Sequence, residues 1–145
     1  MKTLLINFIL FFLICTNSLA SSKRVYNANK DEVWRALLIS LSSYPLDKNN
    51  YESGDIQTAK ISEGQYWKQH NQETSPRNKY SMYFQVFNES NQRTSVTAKK
   101  TLVRAGDFFD EERELKNKGV EEAVILYRIH RELLVDRYVK KAFEK

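Results

Sequence analysis

Apolar residues recur along this chain in two rhythms, and each change of rhythm marks a new element. Residues 3–15 (TLLINFILFFLIC) are almost unbroken apolar chain, too short and too weakly flanked for a spanning helix. In KRVYNA (23–28), Val25 and Tyr26 supply the β-formers of a short strand. Asn29 and Glu32 then stand as the N-cap and N3 residues of a capping box, in which the Asn oxygen takes orphan amides of the first turn. Val33, Trp34, Leu37, Leu38 and Leu41 form one stripe of the helix that follows, which runs to about Ser43. Trp34 on that stripe is assigned to the core. Pro45 ends the helix, because it lacks a donor and drives Tyr44 from helical angles.

The middle of the chain alternates. YPLDK (44–48) predicts an edge strand, NNYESG (49–54) a turn with Gly54 free to take positive φ, and DIQTAKI (55–61) the return strand. Residues 62–79 are polar and unpatterned, a long loop carrying Tyr66 and Trp67. YSMYFQVFN (80–88) is the clearest strand. Tyr80, Met82, Phe84 and Val86 take one face, while Tyr83 and Phe87 share the other with polar residues, as a central strand requires. ESNQ turns the chain into 93–103, where Val96, Ala98 and Leu102 point inward and Lys100 interrupts them. The charged stretch 104–119 has acids early and lysines late, which predicts a short helix before Gly119 with Phe108 and Phe109 as anchors.

The last stretch, VEEAVILYRIHRELLVDRYVKKAF (120–143), is the longest helical signal and has neither Gly nor Pro. On a helical wheel Val120, Ala123, Val124, Tyr127, Leu134, Val135 and Tyr138 share one broad face, the expected core face. Ile125 and Ile129 fall nearly opposite, so the middle of the helix is apolar almost all round. That second strip needs a cover, from 104–118 or from a partner. Ile125 and Ile129 are therefore candidate partner-binding residues, together with Tyr66 and Trp67 of the long loop. Arg128 with Glu132, and Asp136 with Lys140, are spaced for intrahelical ion pairs.

Composition changes this picture mainly at the start of the chain. Lys2, the apolar run and Ser18-Leu19-Ala20 have the anatomy of a cleavable secretory signal over 1–20. That leaves 21–145 as a single domain. The only cysteine, Cys15, lies inside the signal. A secreted domain without cysteine must be held by its core, which suits a bacterial periplasm better than an oxidising eukaryotic compartment. Cys15 ends the apolar run as a lipidated cysteine would, although Ile14 is too bulky for a lipobox; membrane association follows only if Cys15 is lipidated or the signal stays attached. The formal net charge of +5 on 145 residues favours solubility and names no partner.

Candidate chemistry is sparse. His130 has apolar helical neighbours and His70 sits in the long loop, so neither has ligand spacing for a metal. No nucleophile carries a base motif, and with four glycines there is no phosphate loop or cofactor signature. Scattered basic residues behind a signal peptide argue against nucleic-acid binding. The expectation is a non-enzymatic domain without cofactor or metal.

The predicted order β-α-β-β-β-β-α is an α+β domain, an antiparallel sheet of about four to five strands packed against two helices, the long last helix lying on the sheet as in helix-grip folds. The strand into DEVWRALLISL, the turn into ESGDIQTAKI and the helix EEAVILYRIHREL together resemble the BamC-like outer-membrane assembly lipoproteins and their short relatives. The resemblance spans most of 25–138 and carries no catalytic signature. It implies a periplasmic, outer-membrane-associated domain that docks on envelope proteins, with membership of the outer-membrane assembly machinery as its sharpest form. The family's long N-terminal region, with its partner contacts, is not carried over. The alternative is a helix-grip carrier that holds an apolar small molecule between sheet and terminal helix, lined by Phe84, Tyr127 and Leu134.

Overall fold

A computed structural model describes residues 21–63, 78–104 and 113–144. The elements run β1 (Ser22–Tyr26), α1 (Lys30–Ser40), β2 (Leu46–Asn50), β3 (Asp55–Thr58), β4 (Ile61–Ser62), β5 (Asn78–Ser90), β6 (Arg93–Arg104), β7 (Arg113–Leu115) and α2 (Val120–Phe143). All strand pairings are antiparallel, in the order β1-β6-β5-β3-β2, with β4 on β5 and β7 on β6. Both helices pack on one face of this sheet, so the fold is α+β and helix-grip-like. The strand count exceeds expectation because β4 and β7 are two- and three-residue additions. Residues 1–20, expected as a secretory signal, and Tyr66, Trp67, Phe108 and Phe109 lie outside the described residues.

The long hairpin of β5 and β6 sets the register of everything else. Phe84 lies opposite Ala98 and Val86 opposite Val96; Ala98 in turn faces Ser22 of β1, and Phe84 faces Ile56 of β3. Tyr80, Met82, Phe84, Val86, Val96, Ala98 and Leu102 thus form one buried face, as alternation predicts. At α1 the capping box forms as read: Asn29 Oδ1 accepts from the Glu32 amide at 2.9 Å. Val33, Trp34, Ala36 and Leu37 are buried beneath it, and Trp34 meets Tyr51 edge to face with centroids 5.3 Å apart. Gly54, at φ +75°, lets the β2–β3 turn lie against β5, where an added Cβ would come within 2.2 Å of the Val86 carbonyl oxygen.

Two expectations fail on elements near the C-terminus. Residues 113–115 extend the sheet as β7 instead of forming a short helix, with Leu115 opposite Leu102. More consequentially, α2 is turned half round from the predicted orientation. Its buried residues are Glu121, Glu122, Ile125, Leu126, Ile129 and Leu133. The strip expected to await a partner is the core face.

The reason lies in what flanks the aliphatic patch. On the azimuth of Ile125 and Ile129 the helix carries Glu121 and Glu122 before them and Asp136 and Lys140 after them, so a projection of the whole helix makes this side polar. Each of those charges has a partner on another element. Lys100 takes Glu121 at 2.5 Å, Arg35 takes Asp136 at 2.5 Å, and Glu32 takes Lys140 at 2.6 Å. The two interhelical bridges replace the intrahelical Asp136–Lys140 pair, and Glu132 meets Arg131 at 3.7 Å.

Candidate functional site

Three features of the described residues have chemistry beyond plain packing. The first is a polar cluster under the start of α2. Lys100 points from β6 into the core, where its ammonium lies 4.3 Å from the centroid of the Tyr80 ring as well as beside Glu121. The Lys100 amide donates to Glu122 Oε1 at 3.0 Å, Asn117 donates to the same oxygen, and the Asn117 carbonyl oxygen accepts from the Gly119 amide at 3.1 Å. Lys100 and Glu121 side chains are each 5 % exposed. Burial pushes the Glu121 carboxyl above its usual range, against the pull of Lys100. Glu122 Oε2 has no hydrogen-bond partner. Such a cluster is where acid–base chemistry is sought, but here each group faces another element of the fold. Its geometry explains how two carboxylates start a buried helix: it is a fastening of α2 to the sheet. Gly119, at φ 72° and without a side-chain cap, leaves the first turn to be held by that fastening.

The second feature is the outer face of α2. Tyr127 is 59 % exposed, Leu134 36 %, Val135 49 %, Tyr138 71 % and Phe143 86 %. Tyr127, Leu134, Val135 and Tyr138 share one side of the helix, the reverse of its core side, while Phe143 falls on a different side of the last turn. A helix apolar on both sides either lies inside a larger body or leaves one side for a second one.

The third feature is a cleft between β1 and α2. It is lined by Arg24, Val25, Tyr26 and Asn27 from the strand, and by His130, Leu133, Leu134 and Arg137 from the helix, and encloses about 140 Å³. Tyr26 is the hinge of this side, its hydroxyl donating to the Leu126 carbonyl at 2.7 Å; burial drives its phenol well above the ordinary range. Arg137 donates to the Asn27 carbonyl, and the Arg24 guanidinium stands 5.9 Å from the Tyr26 ring centroid.

The structure separates the residues that the sequence had grouped. Ile125 and Ile129, at 1 % and 0 % exposed, are core and offer a partner nothing. Phe84 is fully buried, whereas Tyr127 and Leu134 point outward, so the three do not line a common ligand space. Ile125, Leu126, Ile129 and Leu133 occupy the position between sheet and helix that an apolar ligand would need. Tyr66 and Trp67 fall outside the described residues. The cleft cations were not singled out in the sequence; Arg24 and Arg137 lie 113 positions apart in the chain and carry no motif. Lys100 did give a signal, as the one charge at an inward register of β6.

Among the described residues, no three His, Cys, Asp or Glu side chains are placed to hold a metal ion. No described helix is long and apolar enough to cross a membrane. No known protein-family profile matches the chain, and no curated protein matches it. Among solved structures it is similar to a TBP-like protein from Parabacteroides distasonis ATCC 8503, at 16 % identity and a TM-score of 0.41, over 86 % of this chain and 89 % of that one. A likeness at that level carries no functional implication.

Proposed function

We propose that this chain is a non-enzymatic domain of the bacterial cell envelope that docks on other proteins through the outer strip of α2. The observation that carries the reading is the exposure of Tyr127, Leu134, Val135 and Tyr138 on a helix whose opposite side is already packed. Tyrosines bring a large contact area with a polar tip, the composition favoured at protein contacts. The periplasmic setting is supported by the leader pattern of residues 1–20, and a link to outer-membrane protein assembly by the BamC-like segments. This assignment moves the contact surface from Ile125 and Ile129 to the opposite side of the same helix.

A photo-crosslinking residue at position 138, in intact cells, tests it. The expected result is one discrete protein adduct that is lost when Val135→Asp is added, with no adduct from position 39 on α1, which is also exposed. Equal or absent crosslinking at both positions defeats the reading.

A further inference from the structure

The cleft at the β1 side differs in kind from the outer strip. β1 is the terminal strand of the sheet: it pairs with β6 through Ser22–Tyr26, and no described strand lies on its other side. Alternate residues of an edge strand direct their N–H and C=O groups away from the sheet, an unfilled template for another strand. Over this edge stands one flank of α2, on which His130, Leu133, Leu134 and Arg137 follow at i, i+3, i+4 and i+7. The edge therefore has a wall.

The charge of this groove is one-sided. Arg24, Arg137 and the imidazole of His130 line it, and no carboxylate does. Arg24 is in no ion pair among the described residues, in contrast to Arg35 and Lys140, which are both taken by acids of the helix pair. Leu133, Leu134 and Val25 supply the apolar part. At about 140 Å³ the cleft is well under the several hundred Å³ of a usual small-molecule site. It holds one or two side chains, which is what a strand laid along the edge would insert.

We propose that this groove receives an extended, acidic segment of another polypeptide, which adds as a strand to the free edge of β1 while its carboxylates meet Arg24 and Arg137 and its apolar side chains meet Leu133 and Leu134. Main-chain hydrogen bonds supply affinity in this mode, and the pockets beside the edge supply specificity. The inference rests on the reading of the domain as one that binds proteins, but it uses the β1 edge, Arg24 and Arg137 in place of Tyr127, Val135 and Tyr138, with Leu134 at the border of both. β1, Ser22–Tyr26, gives about 16 Å of edge at about 3.3 Å per residue, enough for five residues of the incoming chain, and its end is marked by Arg137, which holds the Asn27 carbonyl. A lipid headgroup or free phosphate would use the arginines and leave the edge unused.

The test is a titration of the isotopically labelled chain with the blocked peptide Val-Glu-Val-Asp-Val, followed by amide shifts and hydrogen exchange. The expected result is that the amides of residues 22–26 shift and that alternate ones, those directed away from β6, gain protection. Affinity then falls by at least about tenfold for a peptide with Lys in place of both acids, and likewise for one N-methylated at alternate backbone nitrogens, since each change removes one or more contacts worth about that factor. Arg24→Gln weakens binding while Tyr138→Asp leaves it unchanged, which separates this site from the outer strip. Equal binding of acidic and basic peptides, or indifference to N-methylation, overturns strand addition. Dependence on Tyr138 and not Arg24, binding only to vesicles containing phosphatidylglycerol, or no binding at all overturns it as well. None of these outcomes touches the crosslink from position 138.

Discussion

The orientation of α2 is the point on which the structural argument turns, and paired truncations on its two sides test it. Ile129→Ala removes three carbons from a residue with no exposed surface. At about 0.8 kcal/mol per buried carbon, transfer alone costs about 2.4 kcal/mol. The surroundings are sheet on one side and α1 on the other, which collapse poorly, so a cavity contribution brings the expected loss to about 3–4 kcal/mol. Tyr138→Ala removes a much larger side chain, but one that is 71 % exposed, and should cost within about 0.5 kcal/mol. Urea denaturation at neutral pH reads both. With a slope of about 1–3 kcal/mol per molar for a domain of this size, the midpoint of Ile129→Ala falls by about 1–4 M while that of Tyr138→Ala barely moves. If the larger loss followed Tyr138→Ala, the helix would be packed through its tyrosine face and the buried assignment of Ile125 and Ile129 would be wrong. A loss below about 0.5 kcal/mol for both would mean that α2 does not pack on this sheet.

Two further changes probe the polar contacts. Lys100→Met leaves the buried Glu121 carboxylate without its cation and should cost about 3–5 kcal/mol at pH 7; because burial already raises the Glu121 carboxyl, the folded form takes up a proton before the unfolded chain does, so the deficit shrinks as the pH is lowered towards 5. Denaturant unfolding at the two pH values checks this, and a deficit that is small or unchanged with pH would refute it. Asp55 accepts from the Tyr83 hydroxyl at 2.5 Å, Lys48 at 3.0 Å and the Ser53 hydroxyl at 2.8 Å, with Tyr83 the largest of the influences that lower its carboxyl from 3.8 to about 2. Its contribution is present above about pH 4 and lost as the pH falls through 2, so Asp55→Asn should be less stable than the parent at pH 6 and converge with it near pH 2; parallel stability curves across that range would sink the assignment.

Local signals in this sequence translated well. The capping box at Asn29 and Glu32, the stripe of α1 and the alternation of residues 80–86 all depend on neighbours within a few positions, and each stands in the structure as written. Strand 113–115 did not show itself, because three residues of REL carry no periodicity and only their pairing with Leu102–Arg104 of the preceding strand makes them a strand. The docking candidates on α2, Ile125 and Ile129, failed for a related cause. A wheel sums charge over all twenty-four residues of α2, whereas burial is decided turn by turn, by whatever lies opposite each turn.

The sequence by itself determined that two helices and an antiparallel hairpin would form one α+β domain, and that the last helix would be apolar on two sides. It could not say which side the sheet would take, since aliphatic residues lie on both. Tertiary structure decided that through partners remote in the chain: Lys100 for Glu121, Arg35 for Asp136 and Glu32 for Lys140. These make a side with charges at both ends cheaper to bury than one bearing two tyrosines whose hydroxyls would need partners in the core. The same packing set Arg24 beside Arg137 at an open strand edge, a juxtaposition for which linear sequence has no sign.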